Sequence, residues 1–204
     1  MKKEKIDTTE QQILDAAKSV FQSKGMDGAR MQEIADEAKI NKAMLHYYYR
    51  SKKLLFEAVF KNAFSLLAPQ LNAILNDDSS IEDKIRNFTS NYTSFMIKHP
   101  YLPNFIIQEL NRNEDFIIKL KANMDFPNLE KFKSQVDDEI SQGILKPIYA
   151  DQLFVNIIAL NIFPFLGKPL IKAFTDKDEK SYKEFVEKRK TDVANFIIDS
   201  IKQR

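Results

Sequence analysis

The chain has 204 residues, 44% of them hydrophobic and 29% charged, with a formal net charge of +2. That balance excludes a disordered polypeptide and leaves room for a sizeable core. Four glycines argue against a turn-rich β architecture or a phosphate-cradling glycine loop, and the lack of cysteine excludes disulfides and thiolate metal sites. The charge is uneven: residues 1–53 hold 11 Lys and Arg against 8 Asp and Glu, whereas residues 54–204 hold 20 against 21. The positive excess therefore sits near the N-terminus.

The first helix is expected to start near Thr8 or Thr9, each followed three residues later by Gln11 or Gln12 in capping-box spacing. Ile13, Ala17, Val20 and Phe21 then form one core-facing stripe, and Gly25 is placed to end the helix. Lys2, Lys3 and Lys5 precede it as a solvated tail or an arm along an anionic partner. Residues 31–49, MQEIADEAKINKAMLHYYY, read as two short helices around a tight corner. Ile34, Ala35 and Ala38 give the first its apolar stripe, Lys39-Ile40-Asn41 makes the corner, and Asn41 caps the second. This is the pattern of a helix-turn-helix. From Lys39 to Lys53 there are five basic residues and no acidic one.

Ser51 is a good N-cap for a further helix carrying Leu54, Leu55, Phe56, Val59, Phe60 and Phe64, which is expected to reach Pro69 or, kinked, Leu75. Lys52 and Lys53 in its first turn oppose the helix dipole, so a phosphate partner would explain them better than folding does. Downstream the chain reads as helical throughout. Segments are expected over 81–98, from Pro103, over 116–124, 129–142 and 151–166, and over 181–202, with Pro164 kinking or closing the fifth. The apolar run 153–166 is broken by Asn156, Asn161 and Pro164 and is too short to span a bilayer, and the N-terminal residues lack the apolar segment of a signal peptide. A cytoplasmic protein with no membrane partner is expected. The last two apolar helices are suited either to finishing the core or to pairing with a symmetric copy as a four-helix interface.

The first 60 or so residues resemble the TetR family of bacterial transcriptional regulators. The resemblance is carried by Glu33-Ile34-Ala35, Ile40-Asn41-Lys42, Leu45-His46-Tyr47-Tyr48-Tyr49 and Arg50-Ser51-Lys52, with Phe56 at an apolar anchor position. Three positions depart from the family pattern: Lys39 stands where Gly is usual in the turn, Arg30 where Thr or Ser caps the second helix, and His46 where Tyr is commoner. The resemblance implies an all-α fold, with a three-helix DNA-binding domain at 1–53 and a helical effector-binding and dimerisation domain at 54–204.

Carried over by position, it implies DNA contacts from Gln32, Asn41, Lys42, Ala43, Met44, His46, Tyr47, Tyr48 and Lys52. Lys42 can donate to guanine, Ala43 and Met44 can touch a thymine methyl, and Tyr48 and Lys52 match phosphate contacts. It also implies a dimer on a palindromic operator, released by a small ligand. Candidates for a ligand pocket are Tyr92, Met96, His99, Tyr101, Gln108 and Asn161, with Phe95, Phe105, Phe116, Phe126 and Phe163 as walls. Sixteen phenylalanines and no tryptophan suggest an apolar or aromatic effector. No cofactor or metal is expected, and two histidines 53 positions apart support no enzyme constellation. A helical partner-binding protein that has lost its operator is the alternative.

Overall fold

A computed structural model describes residues 2–100, 102–112, 118, 121 and 128–203. Among these the chain is helical, with one isolated bridge between Leu145 and Lys202 and no strand. It falls into two compact units, Met1–Ser65 and Leu66–Arg204. The division lies twelve residues beyond the 53/54 boundary expected from the sequence, because the first half of the fourth helix is part of the N-terminal core.

The N-terminal unit is built from α1 (Lys2–Gly28), α2 (Met31–Glu37), α3 (Lys42–Tyr48) and the first half of α4 (Lys52–Asn76). The α1 stripe Ile13, Ala17, Val20 and Phe21 is buried, as are Ile34, Ala35, Leu45, Leu55, Phe56 and Phe60. Phe21 meets Phe56 edge to face, with ring centroids 4.9 Å apart. Contrary to the expected start at Thr8 or Thr9, α1 begins at Lys2. Upstream Lys, Glu and Ile are compatible with helix, so the threonines need not stop it. Gly25 breaks the helix as expected, at φ 67° and ψ 175°, and a last turn runs on to Gly28.

The C-terminal unit contains the rest of α4, then α5 (Ile81–Lys98), α6 (Leu102–Arg112), α7 (Glu130–Ser141), α8 (Ala150–Leu166), α9 (Lys168–Thr175) and α10 (Glu179–Ile201). α4 continues through Pro69. The expected segment 116–124 lies outside the described residues. α5 starts at an N-cap, where Ser80 Oγ accepts from Asp83 N–H at 3.1 Å and donates to the Asp83 carboxylate at 2.8 Å. It buries Ile81, Ile85, Phe88, Thr89, Tyr92 and Met96 on one face. α10 lies along α5 and buries Val193, Ala194, Ile197, Ile198 and Ile201.

α8 includes Pro164 and ends at Leu166. The proline has no N–H for the Leu160 carbonyl, which a helix would otherwise pair with residue 164. Arg189 of α10 replaces that donor at 2.7 Å, and the Tyr182 hydroxyl donates to the Pro164 carbonyl at 2.6 Å. Two side chains of α10 thus keep α8 helical. After Gly167 the chain bends by 76° into α9, an element absent from the sequence expectations. Glu179 holds it through Lys168 and Lys172 at 2.7 and 2.6 Å. Among the described residues no single helix is long and apolar enough to cross a membrane.

Candidate nucleic-acid interface

The corner between α2 and α3 closes by backbone hydrogen bonding. Lys39 N–H donates to Asp36 O at 3.1 Å and Ile40 N–H to Ala35 O at 3.0 Å, the paired bonds of a Schellman motif. The motif requires a left-handed residue after the C-cap. Lys39 supplies it at φ 55°. A side chain in that region costs about 1 kcal/mol. Lys39→Gly is therefore expected to stabilise the protein by about 0.5–1 kcal/mol, and Lys39→Val to destabilise it by about 1 kcal/mol or more. Thermal unfolding followed by circular dichroism reads both, and equal midpoints for the three proteins would refute the strain.

Asn41 caps α3 as expected, its side-chain oxygen accepting from Met44 N–H at 2.7 Å. The helix has seven residues and Leu45 is the buried one, at 0% exposure. Everything around that anchor turns outward. Lys42, Ala43, Met44, His46 and Tyr47 are exposed, Tyr47 at 84%. Tyr48 is half-buried, its ring edge-on to Tyr47 at 5.6 Å.

The neighbours of α3 fix it at its far end. Tyr49, which the hydrophobic framework would place in the core, is half-buried instead, and its hydroxyl donates to the Glu10 carboxylate at 2.9 Å. Burial pushes the phenol well above its ordinary value, and the bond to Glu10 pushes it further. Ser51 caps α4, accepting from Leu54 N–H at 3.2 Å.

Gln32 lies exposed on α2, its amide donating to Asp36 at 2.8 Å. Lys52 is occupied too. Its ammonium donates to the carbonyls of Asp27 at 3.2 Å and Ala29 at 3.1 Å. Arg30 is the N-cap of α2 but makes no side-chain capping bond, and it is exposed. The sequence identifies Arg30 only as an unusual cap. Lys24 sits 3.1 Å from Glu33, and that hydrogen bond holds the Glu33 carboxyl below its usual value.

The pocket candidates divide. Tyr92, Met96, Phe105 and Asn161 are buried, Phe95 and His99 are half-buried with rings 4.7 Å apart, and Gln108 is exposed. Asn161 donates to Thr89 Oγ1 at 3.3 Å and to Ile157 O at 2.8 Å, so it belongs to the packing of α8 on α5. Tyr92 stacks on Phe88 at 4.8 Å, and burial raises its phenol. Phe126, like Tyr101 and Phe116, lies outside the described residues. Among the described residues no group of acidic or histidine side chains is arranged to hold a metal.

Residues 13–59 match the profile of the bacterial regulatory proteins, tetR family. The HTH-type transcriptional repressor NicS of Pseudomonas putida is 28% identical over 103 residues, 50% of this chain and 49% of NicS. The biofilm operon icaADBC negative transcriptional regulator IcaR of Staphylococcus aureus is 31% identical over 104 residues, 51% of this chain and 55% of IcaR. These matches thus span about half the length of either relative. A solved TetR family transcription regulator from Marinobacter aquaeolei VT8 shares the fold, with a TM-score of 0.62 at 17% identity over 99% of this chain and 100% of that one.

Proposed function

We propose that this chain, whose residues 13–59 match the profile of the bacterial regulatory proteins, tetR family, is a transcriptional repressor acting as a homodimer on a palindromic operator. The observation that carries this reading is α3: two turns anchored by Leu45 alone, with Lys42, Ala43, Met44, His46 and Tyr47 all outward in a stretch free of acid. Such a helix gains little for its own fold by exposing Met44 and Tyr47. In a major groove the same side chains meet base edges and thymine methyls.

A dimer supplies two reading helices for successive major grooves. The surface for it is the outer side of α8, where Val155 and Phe163 are 56% and 51% exposed, together with Phe196 of α10 at 66%. Release follows if a small apolar or aromatic molecule binds the C-terminal unit with different affinity in the operator-competent and incompetent states. Tyr92, Phe95, Met96, His99 and Phe105 are the proposed lining. Asn161 serves packing there, and exposed Gln108 lies outside it.

Fluorescence anisotropy with promoter-proximal DNA fragments tests the reading. One fragment is expected to bind tightly and with a steep salt dependence. Lys42→Ala is expected to reduce the preference for that fragment by about 10-fold or more, the scale of one good base contact at about 1–3 kcal/mol. Equal, weak binding to every fragment by both proteins would instead leave a helical partner-binding protein.

A further inference from the structure

Two carbonyls near the end of α8 lack a donor from their own helix, for different reasons. The Leu160 carbonyl loses its partner because Pro164 has no N–H. The Pro164 carbonyl has none because the helix ends two residues later, at Leu166. Both are served from α10. The Arg189 guanidinium donates to Leu160 O at 2.7 Å and the Tyr182 hydroxyl to Pro164 O at 2.6 Å. Between the two carbonyls stands Phe163, 51% exposed on the side of α8 opposite its buried face.

The Phe163 ring rests against the bend that follows. A Cβ on Gly167 would come within 2.9 Å of that ring, so the ring lies over the backbone where α8 turns by 76° into α9. Its position is thus set by the last turn of α8, and that turn is held by α10. Phe196, 66% exposed, stands two turns beyond Arg189 on the same side of α10. The bonds from Arg189 and Tyr182 therefore fix the two helices of the proposed dimer face against each other where Phe163 projects.

We propose that Arg189 and Tyr182 are positioning residues for the interface between two copies of this chain. They hold the last turn of α8, and Phe163 with it, in the geometry that meets the second copy. Without their donors the turn opens at the proline, where helices kink, and Phe163 moves out of line with Val155 and Phe196. This rests on the homodimer reading above and adds what sets the shape of its contact surface.

Sedimentation equilibrium of the full chain measures the dimer dissociation constant, with thermal unfolding alongside. Arg189→Met keeps the aliphatic length and removes the donors, and it is expected to raise that constant by about 10-fold. Pro164→Ala supplies an N–H for Leu160 O from within α8. In that background Arg189→Met is expected to change the constant by less than about 2-fold, a rescue that a general packing role would not give. Tyr182→Phe keeps the ring and is expected to raise the constant by about 5-fold in both backgrounds. The carbonyl of residue 164 has no helical donor in either.

An unchanged dissociation constant in Arg189→Met or in Tyr182→Phe overturns that residue's role, even at a lowered thermal midpoint, because the bond then serves the protomer alone. Equal weakening by Arg189→Met in both backgrounds overturns the part played by Leu160 O. If Arg189→Met does not fold, the double variant with Pro164→Ala is expected to fold and to dimerise as wild type, and a folded but monomeric double variant overturns the proposal. Wild-type protein that sediments as a monomer at every concentration would overturn the dimer reading itself, which no variant result alone could do.

Discussion

Lys84→Met is expected to destabilise the C-terminal unit by about 2–3 kcal/mol. Lys84 is 1% exposed, and its ammonium donates to Ile74 O at 3.1 Å and Asp77 O at 2.8 Å while pairing with the Asp77 carboxylate at 2.7 Å. It closes the C-terminal end of α4 from within α5. Methionine fills the volume but donates nothing, so two carbonyls lose their partner and the carboxylate loses its counter-charge. The Asp77 side chain is 42% exposed and can turn to water, which keeps the cost below that of a fully buried broken pair. The thermal midpoint should fall by about 5–10 °C.

Lys131→Met is the control. That lysine also meets a carbonyl and a carboxylate, Asn76 O at 2.8 Å and Asp78 at 2.6 Å, but its side chain is 39% exposed and Asp78's is 95% exposed. Its loss should cost less than about 1 kcal/mol. Equal midpoint shifts in the two variants would refute the burial argument.

The Lys84 effect has a pH signature. Burial alone would raise the Asp77 carboxyl, but bonds from Lys84 and Ser79 outweigh it and hold the group below its ordinary value. A carboxyl depressed in the folded state contributes stability above its unfolded value of about 4, lost as pH falls through the lower folded value. The gap between wild type and Lys84→Met should be full at neutral pH and narrow below about pH 4.

Lys84 and Lys52 share the reason they are hard to read from sequence: their acceptors are backbone carbonyls, which no residue pattern displays. Local signals did better. The polar run 77–80 and Pro100 beyond His99 bound α5 at 81–98 by rules that act within a turn or two. Leu45 with Tyr48 or Tyr49 displays the stripe of α3 in the sequence, and in the structure Leu45 is buried while both tyrosines are half-buried. Pro164 shows what a local signal leaves out. Whether a proline ends a helix depends on who serves the carbonyl four residues back, and here Arg189, 29 positions away, serves it. Short α9 carries no buried residue at all, so its eight positions offer no core stripe to read.

Phe163→Glu is expected to convert a dimer to monomers and to weaken operator binding by about 100-fold or more. The α8 face of Leu153, Ile157, Asn161 and Pro164 is buried within the protomer, whereas Val155 and Phe163 lie on the opposite side, more than half exposed. A helix apolar on both sides has one side unexplained by its own fold. Across a two-fold axis one substitution enters twice, so two carboxylates are desolvated together at a cost of several kcal/mol. Each protomer then holds one half-site without the linkage that makes the second contact intramolecular. Because Phe163 is half-exposed in the protomer, helicity should be retained. Phe196→Glu on α10 should act in the same direction. Analytical ultracentrifugation and operator anisotropy read the two consequences separately. Monomers that bind the operator as well as wild type would sever dimerisation from recognition, and a dimer that survives both substitutions would place the interface away from α8 and α10.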